Sequence, residues 1–193
     1  PHFKAFDADS TGLAYPDFTH IGPDVDYMER AYDDAKYGWY SKRPFLTPLV
    51  PTVHDDTLAP RGKHVVNIFG GHAPYELKNG VWADERDGFV KSVMAVMDEF
   101  APGFSSSVID MQVLLPPDLE ELFALPQGHI YHGEITPDQL FFKRPVPHYA
   151  DYRSPVTGLY QCGSSTHPGG GVTGVPGRNA AREILKDWPR LRR

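Results

Sequence analysis

Six glycines lie between Gly163 and Gly177, between a short apolar run (Leu159, Tyr160, Cys162) and an Ala-rich run from Asn179 to Leu185. Read as strand, turn and helix, this order leaves unobstructed backbone N–H groups at a helix N-terminus, where an anion or an electron-rich ring edge can sit. That is the geometry of a nucleotide or flavin contact. Two sharper motifs are not met. A P-loop needs Lys and then Ser or Thr after its last glycine, and Gly177 is followed by Arg178 and Asn179. Gly169, Gly171 and Gly174 match G-x-G-x-x-G, but no acidic residue follows about twenty positions on at the end of a second strand. On the glycines alone, the stretch is equally a ligand loop or a tight connection.

Other residues could carry chemistry, each beside a plainer reading. His167 either handles a proton over a bound ring or, with Pro168, makes a rigid turn. Cys162 lies in an apolar run with no second cysteine, which predicts a buried structural residue. His129, His132 and Glu134 have a spacing that offers metal ligands, but nothing nearby completes a set of three or four, so no metal is expected. His132 and Gln139, with the Phe141-Phe142 pair, read as lining or supporting a substrate cavity, beside plain core packing of the two phenylalanines. Asn179 is either a helix cap or a cofactor contact. The acidic cluster Asp24, Asp26, Glu29, Asp33 and Asp34 reads as a solvated helix face, and no G-x-S-x-G elbow frames a serine.

The bulk composition is that of an ordinary globular chain: 193 residues, 40% hydrophobic and 23% charged. Nineteen prolines and eighteen glycines are spread along it, which marks loop punctuation rather than disorder. A net charge of −6 argues against a nucleic-acid partner, which would call for a basic stripe. The basic run Pro189 to Arg193 reads as a solvated tail. One cysteine rules out an internal disulfide and leans toward the cytoplasm. No apolar run is long enough to span a bilayer. The chain starts at Pro1 rather than Met, so its true N-terminus is expected elsewhere.

These groups need elements to position them. Residues 1–17 read as loop and Phe18 to Ile21 as a short strand. A helix capped by Asp24 is expected from Val25 to Tyr37, stopped by Gly38. Strands are expected at Phe45 to Val50, demoted to an edge by Pro48, and at His64 to Phe69. A helix from Ala83 to Phe100 follows from Phe89, Val93, Val96, Met97 and Phe100 at three- and four-residue spacing. Further strands are expected at Ser107 to Leu115, His129 to His132 and Leu159 to Cys162, with a short helix from Pro117 to Ala124. The expected class is α+β, a mixed β-sheet with helices on one face, closed by a strand–loop–helix.

The glycine-rich stretch also resembles a known pattern: Leu159-Tyr160, then Gly163-Ser164, then His167-Pro168-Gly169-Gly170-Gly171-Val172-Thr173-Gly174, then Gly177-Arg178-Asn179-Ala180-Ala181. This resembles the C-terminal flavin-contact segment of the phytoene-desaturase-like, amine-oxidase-like branch of FAD-dependent oxidoreductases. The resemblance implies FAD as cofactor, with Gly163, Ser164, His167, Pro168, Gly169, Gly170, Gly171, Val172, Gly174 and Asn179 near it. It implies a partial substrate domain over 1–155, holding His132, Gln139 and Phe142, and the end of an FAD-binding domain over 156–193. It implies too that the chain is the C-terminal part of a longer enzyme, which removes hydride from a small-molecule substrate. The N-terminal FAD-binding half would then be its partner. The alternative is a non-catalytic α+β binding module that self-associates into a homo-oligomer through an exposed apolar face.

Overall fold

The computed structural model describes Pro1, Phe3 and residues 17–192, so the loop expected at the N-terminus lies almost entirely outside the described residues. The chain divides into two compact units, Pro1–Leu115 and Pro116–Arg193. The motif-based boundary at 155/156 falls inside the second.

The first unit is built around a hairpin. Strands β1 (Phe45–Leu49) and β2 (Asn67–Gly71) run antiparallel, with Leu46 opposite Gly70 and Pro48 opposite Ile68. Helix α1 (Val25–Lys36) precedes them, its first turn closed by the Asp24 carboxylate accepting from Tyr27 N–H at 2.7 Å. Helix α2 (Trp82–Phe100) follows and presents the expected stripe: Phe89, Val96 and Met97 are buried, and Val93 and Phe100 partly so. Met97 and Val96 join Ile21, Leu46, Ala101 and Phe104 in one core cluster, with Ile68 packed against it. Trp82 and Phe89 join Tyr40, Leu77 and Leu115 in a second. The α1, α2 and β1 expectations therefore hold within a residue or two, and β2 lies three residues later at its start and two at its end than expected.

Pro48 explains why the sheet stays small. Leu46 N–H donates to Ile21 O (3.1 Å) and Val50 N–H to Asp17 O (2.7 Å), and the position between them is Pro48, which has no N–H. The strand expected at Phe18 to Ile21 is therefore reduced to two isolated bridges, Phe18 with Leu49 and Ile21 with Leu46. β2 begins at Asn67 rather than His64 because Leu49 opposite Asn67 is the last pair before Pro51 turns the chain into a 3₁₀ turn.

The other expected strands are not formed among the described residues, and each loss has a local cause. The start of Ser107 to Leu115 is taken by the short helix α3 (Phe104–Ser107), which the Asp98 carboxylate holds by accepting from Ser105 N–H and its hydroxyl. The rest runs without a ladder partner. In the second unit, which opens with α4 (Pro116–Phe123), His129 to His132 coils back on itself. Tyr131 N–H donates to His129 Nδ1 and His132 N–H to His129 O, and His132 has φ 58°. Leu159 to Cys162 keeps one bridge, Tyr160 with Arg153. Thus α+β stands, with the mixed sheet corrected to a two-stranded antiparallel hairpin. The last helix, α5 (Val175–Leu191), is much longer than expected, because Pro176 presets its first turn and Pro189 to Leu191 continue it instead of forming a tail.

Leu46 is fully buried where β1 meets α2. Leu46→Ala is expected to lower stability by about 2–5 kcal/mol, read from the denaturant midpoint. A loss under about 1 kcal/mol would show that the hairpin does not hold this core.

Candidate functional site

The second unit turns the glycine-rich stretch into a sequence of tight loops. Thr166, fully buried, closes the first: its N–H and its hydroxyl both donate to Gly163 O, at 3.0 and 2.8 Å. Gly169 N–H then donates to Thr166 O at 2.7 Å. Gly170 has no room for a side chain, since a Cβ there would lie 2.2 Å from Tyr131 Cδ1 and 2.8 Å from Tyr131 Cβ. Gly171 has φ 134° and Gly174 φ 68°, and Gly174 is the left-handed residue that launches α5.

Arg144 holds this turn against the preceding loop. Its side chain is 1% exposed, and its described partners are all backbone carbonyls. Nε and Nη2 donate to Ser164 O at 3.2 and 2.7 Å, Nη2 also to Tyr131 O at 2.9 Å and His132 O at 3.4 Å, and Nη1 to Glu134 O at 3.2 Å. One planar group thereby brings the His132 loop to Ser164. The sequence gives Arg144 no site role, although Arg144-Pro145 belongs to a stretch compatible with the family resemblance, because nothing in its neighbours signals burial.

Tyr152 joins the His-Pro turn to α5. It is buried, and its hydroxyl donates to His167 O at 2.8 Å while accepting from Asn179 Nδ2 at 2.8 Å. Asn179 is the fifth residue of α5 and not its cap, a position that Gly174 takes. The His167 ring lies 5.6 Å from that of Phe141, and His167 Nδ1 is buried without a hydrogen-bond partner among the described residues. Phe142 and His132 are exposed, Gln139 is half-buried, and Cys162 is exposed rather than buried. Cys162 follows a lone bridge rather than a covered strand. Among the described residues, no three His, Cys, Asp or Glu side chains converge as metal ligands.

A charge network ties this region to the last turns of α5. Arg153 Nε, Nη1 and Nη2 reach Asp187, Asp151 and Glu183 at 2.7, 2.6 and 2.8 Å, and the Tyr160 hydroxyl donates to Asp187 at 2.7 Å. The Arg153 and Tyr160 hydrogen bonds hold the Asp187 carboxyl down at about 2, and the same bond to Asp187 pushes the Tyr160 phenol up.

These features suit an electron-rich ring edge. A Cβ at Gly163 or Gly174 would meet nothing within 4 Å, and one at Gly171 only Thr173 Cγ2 at 3.8 Å, so the outer backbone can be approached closely. The first turn of α5 carries Arg178 and no acidic residue. The orphaned His167 Nδ1 leaves one buried polar atom for a bound group to meet.

Comparison with known proteins bears on most of the chain. The chain is 48% identical over 162 residues to pyridine nucleotide-disulfide oxidoreductase domain-containing protein 2 of Mus musculus, a match covering 83% of this chain and 28% of the relative. It is 32% identical over 146 residues to a limonene dehydrogenase polypeptide of Castellaniella defragrans, covering 74% of this chain and 26% of the relative. Phytoene desaturase (neurosporene-forming) of Rhodobacter capsulatus is 28% identical over 192 residues, covering 96% of this chain and 36% of the relative. The chain is a relative of the phytoene-dehydrogenase-like FAD-dependent oxidoreductases. No family model matches it. The chain spans well under half the length of each of these oxidoreductase relatives. No helix among its described residues is long and apolar enough to cross a membrane.

The geometry of this oxidoreductase-related turn can be tested at two positions. Gly170→Ala must displace Tyr131 and is expected to cost about 1–3 kcal/mol by denaturant unfolding. In a Tyr131→Gly background, which removes both the ring and its Cβ, Gly170→Ala should cost much less, and additive losses would show that the clash is not the cause. Asp187 supplies the second. Its folded value, about 2, lies below the ordinary 3.8, so its contribution is present above 3.8 and is lost as pH falls toward 2. Melting curves between pH 6 and 2 should show wild type and Asp187→Asn converging at the acid end (roughly, by linkage). A constant gap across that range would remove the assignment.

Proposed function

We propose that this chain supplies the closing part of the flavin site in a phytoene-dehydrogenase-like FAD-dependent oxidoreductase. The observation that carries the reading is the Gly169–Gly174 backbone. It is open to close approach at Gly171 and Gly174, leads into the N-terminus of α5 and lies within the 96% of the chain that matches a phytoene desaturase relative. Gly163, Ser164, His167, Pro168, Gly170, Gly171, Val172 and Gly174 would lie along the cofactor, while Asn179 acts through Tyr152 on the His167 carbonyl. When bound, the flavin supplies a two-electron acceptor for hydride from a substrate C–H bond. The chain's own residues bind and orient it: glycines admit the ring edge, and the positive end of α5 favours negative charge there.

In this reading the residues before Val156 belong to a substrate domain, with His132, Gln139 and Phe142 on the substrate side. The ADP half of FAD is held by an N-terminal dinucleotide-binding unit of the parent protein, in the cytoplasm. A second reading, a self-associating module, is favoured by the exposure of Phe141, Phe142, Val172 and Leu185.

The test is FAD binding by the full-length parent and by this chain, read as flavin absorbance and as quenching of flavin fluorescence. The parent is expected to be yellow, and Gly171→Val to weaken binding roughly tenfold or more, about 1.4 kcal/mol, because a β-branched residue is strained at that φ. Colourless parent protein that takes up no FAD would sink the flavin reading. A chain that sediments as an oligomer would then support the second.

A further inference from the structure

Buried arginines are ordinarily met by a carboxylate, because an unpaired charge in a low-dielectric interior is costly. Arg144 departs from this. Its guanidinium is 1% exposed, and its partners among the described residues are the carbonyls of Tyr131, His132, Glu134 and Ser164. Glu134 is exposed and contributes its backbone oxygen. Carbonyl dipoles satisfy the N–H groups but leave the unit of positive charge uncancelled.

That charge lies against the glycine turn. A Cβ built at Gly169 would fall 3.6 Å from Arg144 Nε and 3.8 Å from Cζ, so the guanidinium lies against the first glycine of the Gly169–Gly171 run. Two residues further on, the backbone opens at Gly171 and then at Gly174. The nearby network around Arg153 is different in kind, because Asp151, Glu183 and Asp187 surround that guanidinium with carboxylates.

We propose that Arg144 is a positioning residue that also acts electrostatically. Its buried charge, with no carboxylate among its described partners, sits against the Gly169 backbone, two residues before the opening at Gly171, and would favour the negatively charged, reduced state of a ring held there. This inference rests on the flavin reading above. Hydride taken from a substrate C–H bond carries two electrons and one proton to the ring, which thereby gains one negative charge while the substrate loses a hydride. A fixed cation behind the loop selects for that added charge and for little else, since the oxidised ring is neutral. The carbonyl fork and the charge are separable, because lysine retains the charge without the planar fork.

The experiment measures the midpoint potential and the FAD affinity of the full-length holoprotein as wild type, Arg144→Lys and Arg144→Met, by spectroscopic redox titration. Arg144→Met is expected to weaken binding of reduced relative to oxidised FAD by roughly tenfold, which for a two-electron couple is a drop of about 30 mV. Arg144→Lys should hold the wild-type potential while binding both forms more weakly, and the lower potential of Arg144→Met against that unchanged one is what loss of loop order alone would not produce. Equal potentials in wild type and Arg144→Met overturn the proposal, as does a fall in Arg144→Lys as large as in Arg144→Met. If Arg144→Met retains no flavin, Arg144→Gln supplies the neutral comparison: a potential below that of Arg144→Lys supports the proposal, and equal potentials overturn it. A wild-type protein without flavin is a different failure, because it removes the flavin reading itself and this inference with it.

Discussion

A guanidinium shut away from water must direct its donors at whatever oxygens enclose it, and in the second unit those oxygens are carbonyls from two separate loops. Arg144 thereby defines where the His132 loop ends and where the Ser164 turn begins. The Thr166 turn, the Tyr131 side chain in the space above Gly170 and the Tyr152 link from His167 to Asn179 are all arranged about that connection. This unit has little regular structure between α4 and α5, so hydrogen bonds from a few buried side chains take the place that a ladder fills elsewhere.

The first unit depends on a different constraint, apolar burial. The hairpin supplies Leu46 and Ile68, α2 supplies Val96 and Met97, and the two elements exclude water from one shared cluster. Pro48 limits the sheet by withholding one donor, so a single residue decides both the edge and the strand count. The aromatic cluster of Tyr40, Trp82 and Phe89 is anchored by polar tips: Trp82 Nε1 donates to Pro74 O at 3.0 Å and the Tyr40 hydroxyl to Glu85 at 3.0 Å.

Legibility in the sequence tracked how local the controlling interaction was. α1, α2 and α4 were readable because caps and a three- to four-residue apolar period act within one element. The strands at Ser107, His129 and Leu159 were misread because a strand exists only where another segment supplies hydrogen bonds, and no period-two pattern guarantees that neighbour. The site shows the same division. The glycines and the His-Pro turn stood out by type, while Arg144, Tyr152 and Thr166 matter only through burial and partners distant in sequence. Asn179 was read as a helix start because the glycine at Gly177 looked like loop, whereas Pro176 had already set the helical φ.

By itself, the sequence determined which backbone positions lack a side chain, where three of the helices run and which family the glycine-rich segment resembles. Those are properties of residue type and short spacing, and glycine's missing Cβ or proline's missing N–H act wherever they stand. Tertiary structure alone decided, among the described residues, that Cys162 faces solvent, that the sheet stops at two strands and that an arginine with no carboxylate partner lies against the turn. Burial and long-range hydrogen bonding are relations between segments, and they come into being only when the chain has closed around them.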